Sequence, residues 1–175
     1  MNKPYCHYRG KFLSLLERDT WEYAERINSQ GVVVIVATTD EQDIILVEQF
    51  RMPVNTSVIE LPAGLMGDIA EFRDESVFAA ASRELHEETG FEADHWNHIM
   101  ECPASAGMSS EILSIVRATG LVRTGEGGGD SSENIHVHII ALNKVDQWLE
   151  RQISKGKLLD PKIYSALHWI SQEGH

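Results

Sequence analysis

The chain has 175 residues, 42% of them hydrophobic, enough for one compact core of ordinary domain size. With 15 Lys and Arg against 27 Asp and Glu, the formal net charge is −12, so binding to nucleic acid or an anionic membrane surface through clustered basic residues is not expected. A phosphate-bearing ligand would need a cation between itself and this protein.

The two cysteines, Cys6 and Cys102, have no ligand-like or scaffold-like spacing. The opening MNKPYCHYRG has no apolar signal region, and the most apolar run, 31–37, is too short to span a bilayer. Both points suggest a soluble protein of the cytoplasm.

In chain order, residues 10–26 alternate apolar and polar around Arg18-Asp19-Thr20, which predicts a hairpin or a pair of extended segments beside the main core. Two β-rich runs follow at 32–37 and 44–48, separated by a polar turn at Asp40. A short strand at 58–61 is expected to stop at Pro62-Ala63-Gly64. From about Glu75 to Thr89, Phe78, Ala81 and Leu85 recur at helical spacing, with Asp74 as candidate N-cap and Gly90 closing the helix.

Strands are then expected around 98–102, 112–119 and 135–142. Between the last two, TGEGGGDSSE lacks apolar residues and is expected to be a mobile loop, a candidate lid. Two helices close the chain. The first carries a stripe of Val145, Trp148, Leu149 and Ile153; the second follows Asp160-Pro161 as N-cap and first helical residue. Strands interleaved with helices over this length predict a mixed α/β sandwich.

The chemistry is concentrated in Arg83-Glu84-Leu85-His86-Glu87-Glu88-Thr89-Gly90-Phe91. On a helix, Glu84, Glu87 and Glu88 fall within about 100° of one another, with Cβ atoms about 5 to 6 Å apart. At an effective dielectric near 20 each pair repels by about 3 kcal/mol. A polyvalent cation or a basic partner turns that cost into stability, and oxygen-only ligands favour Mg²⁺ or Mn²⁺ over zinc.

Gly64, Glu75, Arg83, Glu84, Glu87, Glu88 and Gly90 together resemble the Nudix box, GX5EX7REUXEEXGU. One departure stands out: ten residues separate Gly64 from Glu75 where the box has five, so the loop before the helix is enlarged. The chain looks most like the branch of Nudix enzymes that hydrolyse ADP-ribose and other nucleoside diphosphate sugars, in which LPAG, here 61–64, precedes the box. The resemblance implies a Nudix α/β/α sandwich with a mixed sheet at 31–175. It also implies an N-terminal β extension at 1–30 that serves base binding and homodimerisation, with roughly 8–26 reaching a second chain's site.

By the same resemblance, the Ala63 carbonyl joins Glu84 and Glu88 as ligands of Mg²⁺, or Mn²⁺ in its place, with Glu87 acting directly or through water. Arg83 and Glu75 form a supporting pair. The branch draws its general base from an acidic loop before a late strand; Glu133 aligns best, with Asp130 and Glu126 as alternatives. Trp21 matches the aromatic that stacks the nucleobase, Arg26 and Arg51 the arginines on the diphosphate, and Glu111 a residue near the substrate.

Other residues read more plainly. His136 and His138 share a polar strand face, His86 is exposed, and Trp148 and Trp169 belong to core or interface stripes. The implied reaction yields a nucleoside monophosphate and a sugar phosphate. Competing readings are a pyrophosphatase preferring GDP-mannose or another sugar nucleotide, and a noncatalytic sensor that binds ADP-ribose.

Overall fold

The computed structural model describes residues 3–67, 72–129 and 134–173. Eleven strands and three α-helices form among them, in the order β1 (Tyr5–Arg9), β2 (Leu13–Arg18), β3 (Trp21–Arg26), β4 (Gly31–Ala37), β5 (Asp43–Arg51), β6 (Thr56–Glu60), β7 (Ala63–Met66), α1 (Val77–Thr89), β8 (Phe91–Pro103), β9 (Ile112–Arg123), β10 (His136–Ala141), α2 (Val145–Ser154), β11 (Leu158–Leu159) and α3 (Lys162–Gln172).

The strands make three sheets, with orders β1-β2-β3, β10-β5-β6-β11 and β7-β4-β9-β8. The last is mixed: β4 runs parallel to β9 but antiparallel to β7. Its unbroken apolar text is explained by burial on both faces. Val33, Ile35 and Ala37 pack with Ala80, Ala81 and Leu85 of α1. Val34 and Val36, pointing the other way, pack with Leu149 of α2 and Ile163 of α3. Ile45 and Leu46 divide β5 between the same two cores, so the sheets lie between α1 and the pair α2/α3 as an α/β/α sandwich.

The hairpin expected at 10–26 forms as β2 and β3, and a further strand, β1, precedes it. The β2–β3 hairpin turns at Asp19, which takes a left-handed φ of 57°, and β1 adds to its far side. This sheet docks on residues 105–110: the Ala24 N–H donates to the Met108 carbonyl at 2.8 Å, and Ser110 N–H to the Ala24 carbonyl at 3.1 Å.

Three local expectations change. Helix α1 starts later than Glu75, and Ser76 rather than Asp74 caps it, its hydroxyl accepting the Ala79 N–H at 3.2 Å. Pairing does not stop at Pro62, because Ala63 and Gly64 open β7 opposite Val34 and Val33. Helix α3 begins at Lys162, one residue after the expected Pro161.

The glycine-rich run also departs from the expected mobile loop, as far as it is described. Gly125 donates its N–H to the Gly90 carbonyl at 3.0 Å, Gly128 to Glu88 at 2.8 Å and Gly129 to Glu87 at 3.0 Å. Residues 125–129 therefore form a strap that satisfies the last carbonyls of α1, which a helix leaves without intrahelical partners.

Candidate active site

Arg83 organises the acidic face of α1. Its Nη1 donates to Glu84 at 2.7 Å and to Glu87 at 3.3 Å, while Nη2 donates to Glu75 at 3.0 Å and to the Leu65 carbonyl at 3.2 Å. The guanidinium lies 4.9 Å from the Phe72 ring centroid. Burial alone would lower its pKa, but the hydrogen bonds and charges of Glu75 and Glu84 outweigh that and hold the guanidinium above its usual range. One arginine is thus the basic partner that makes crowded carboxylates tolerable.

Glu88 faces inward, 5% exposed, and accepts the Ala63 N–H at 3.1 Å. This bond joins α1 to the first residue of β7. Gly64 follows, and a Cβ there would stand 1.8 Å from Cδ of Glu84. Glycine is required because the Glu84 carboxyl occupies the space of a side chain. Among the described residues no group of three or more His, Cys, Asp or Glu side chains converges on a point that could hold an ion. The chemistry of the donor set nonetheless suits a hard divalent cation: three carboxylates on one helical face, next to a backbone segment kept bare by glycine.

A cavity of about 470 Å³ opens in front of this face. Arg83, Glu84, Glu87, Ala63 and Gly64 form one side of it. Arg26 and Glu111 form another and pair at 2.7 Å; Arg51 and Glu60 a third, paired at 2.6 Å. Both arginines donate to their acid from Nε.

Residues 28–157 match the NUDIX domain. The chain belongs to the NUDIX family. It is 29% identical over 147 residues to the methanol dehydrogenase activator of Bacillus methanolicus, covering 83% of this chain and 75% of that protein. It is 37% identical over 96 residues to the ADP-ribose pyrophosphatase of Bacillus subtilis, an alignment of 54% of this chain and 48% of that protein; the chain thus spans about half of that relative. A crystal structure of an ADP compounds hydrolase superposes with a TM-score of 0.70 at 23% identity, covering 99% of this chain and 97% of the other, and so shares the fold.

In this NUDIX chain the cavity gathers seven of the residues singled out in the sequence: Ala63, Arg83, Glu84 and Glu87 with Arg26, Arg51 and Glu111. Trp21 stands elsewhere. The residue is 62% exposed, its indole N–H donates to the Gly107 carbonyl at 3.2 Å, and it borders a separate concavity with Glu17 and Thr20. Glu126 is exposed and lies outside the cavity lining. Glu133 and Asp130 lie outside the described residues.

Three lining residues went unnoticed in the sequence: Glu60, Asp160 and Lys162. Asp160 reads locally as a helix cap, and nothing nearby in the text places it beside Glu60. That neighbourhood comes from the parallel pairing of β11 with β6. His86 is exposed as expected and meets Thr124 at 3.3 Å, while Trp169, expected in a core or interface stripe, is 41% exposed.

Proposed function

We propose that this NUDIX protein hydrolyses the diphosphate of ADP-ribose or a related ADP-sugar, giving AMP and a sugar phosphate. The observation that carries the reading is the joining, in one cavity, of Glu84 and Glu87 of α1 with Arg26 and Arg51. The ADP-ribose pyrophosphatase of Bacillus subtilis, similar in sequence, supports the choice of substrate.

Glu84, Glu87 and Glu88, with the Ala63 carbonyl, would hold Mg²⁺ or Mn²⁺. Such an ion supplies neutralisation of the diphosphate and polarisation of its phosphorus. Arg83 keeps Glu84 and Glu87 in place through its Nη1. The forks of Arg26 and Arg51 clasp non-bridging oxygens, for which guanidinium geometry is suited. Glu133 takes the proton of the attacking water as its oxygen bonds to phosphorus and the other phosphate departs. Glu111 anchors Arg26.

A second copy of the chain completes the site in this reading. Tyr5, Tyr8, Phe12 and Trp21 are each more than 60% exposed on the N-terminal segment, an apolar surface fit for a homodimer interface, and there Trp21 would stack the nucleobase of a neighbour. We place the 1–30 extension and the 31–175 catalytic unit in that arrangement, in the cytoplasm. No described helix is long and apolar enough to cross a membrane.

The test is incubation with ADP-ribose and Mg²⁺ in heavy-oxygen water, with products identified by mass. AMP and ribose 5-phosphate, one of them carrying the label, are expected. Faster turnover of GDP-mannose would overturn the choice of base and sugar. Binding of ADP-ribose without any product would overturn the catalytic reading in favour of a sensor.

A further inference from the structure

The cavity has one wall that this reading leaves unused. Parallel pairing sets Leu159 beside Ile59, and the Asp160 N–H donates to the Ile59 carbonyl at 2.9 Å. The chain therefore delivers Asp160 and Lys162 to the same cavity as Glu60 and Arg51.

Asp160 is held tightly. Its side chain is 11% exposed, its Oδ1 accepts the main-chain N–H of Lys162 at 2.8 Å, and its Oδ2 pairs with Lys162 Nζ. The lysine, a side chain with large rotamer freedom, is fixed by this clamp at the start of α3 before any ligand arrives.

This pair suits a different ligand group from the arginines. The Lys162 ammonium is a compact donor without the planar fork by which an arginine clasps two phosphate oxygens, and the Asp160 carboxylate beside it is an acceptor fixed in place. A hydroxyl-bearing group is matched instead: the carboxylate accepts from one hydroxyl while the ammonium donates to the oxygen of another. We propose that Asp160 and Lys162 are a specificity-determining pair that binds the hydroxyls of the sugar attached beyond the diphosphate. The proposal rests on the ADP-sugar reading above and adds to it the wall that recognises the sugar.

The experiment compares ADP-ribose with ADP methyl ester, which keeps the adenosine and the diphosphate but lacks the distal sugar. Steady-state kcat and KM are measured with Mg²⁺ for the full chain and for Lys162→Met, Lys162→Arg and Asp160→Asn, each checked by its thermal midpoint. In Lys162→Met the ratio of kcat/KM for ADP-ribose to that for the methyl ester should fall about tenfold, as for loss of one charge-assisted hydrogen bond, and the loss should appear in KM. Lys162→Arg should recover part of it. Asp160→Asn, which keeps an acceptor for the Lys162 N–H, should lower the same ratio.

An unmoved ratio overturns the proposal, whether both substrates lose equally or neither does. Equal loss would assign the lysine to the diphosphate or to the adenosine. A parent protein inactive on ADP-ribose overturns the ADP-sugar reading and this inference with it, whereas an active parent with an unmoved ratio overturns this inference alone.

Discussion

Gly64 decides where the carboxyl group of Glu84 can stand. A Cβ at position 64 would lie 1.8 Å from Cδ and 2.1 Å from Oε1 of Glu84. Those atoms are the far end of a flexible chain, so Gly64→Ala should cost little stability while displacing the carboxylate by an ångström or more. Misplacement of about 1 Å can cost on the order of 100-fold in rate. The expected result is a thermal midpoint near the parent's with kcat/KM for ADP-ribose down about 100-fold. Glu84→Gln, which keeps the shape and removes the charge, should fall by a comparable factor. Parent-like rates in both would remove Glu84 from the catalytic set.

The strap of residues 125–129 shows how an element can escape a reading of the text. Helix α1 is legible because its signals are local: apolar residues at helical spacing, the acidic face and Gly90 at its end, where φ is 74°. The strap leaves no such trace, since it is held by main-chain hydrogen bonds to α1 and carries no apolar side chain to mark burial. β7 was hidden for a related reason, its Ala63-Gly64 resembling a strand's end although Gly64 pairs with Val33. Asp160 and Lys162 required a pairing between segments far apart in the chain, which periodicity does not record. The strap makes its own prediction. A Cβ at Gly127 would meet the Thr89 carbonyl carbon at 2.5 Å with φ at +72°, and both obstacles are backbone. Gly127→Ala should therefore lose about 1–2 kcal/mol or more in urea unfolding, from the left-handed φ alone. At Gly107 an added Cβ meets nothing within 4 Å, and Gly107→Ala should unfold like the parent.

The placement of α2 and α3 on one face of the sheets and α1 on the other follows from the alternation in β4, and polar ties secure the first of these layers. Glu48 of β5 accepts from Lys157, between α2 and β11, at 2.6 Å and meets His138 of β10 at 3.0 Å, while the His138 ring packs 4.9 Å from Trp148 of α2. Three separate stretches of chain thus meet on one carboxylate that is 12% exposed. Burial would raise its pKa, but the hydrogen bonds and charges of Lys157 and His138 outweigh that and hold it below its ordinary value of 4.5. A carboxyl with a depressed folded-state pKa contributes stability that is fully present above its unfolded value and is lost as pH falls through the folded one. The contribution should be present at neutral pH and be lost as pH falls below 4.5 through the depressed folded-state value. Glu48→Gln should be less stable than the parent at pH 7 and pH 5.5. In more acidic solution the difference should shrink as the parent's carboxylate takes up its proton. Urea unfolding at pH 7, 5.5 and 3 measures this directly; a gap between parent and variant that stays the same at all three would show that the charge on Glu48 does not hold the α2 layer in place.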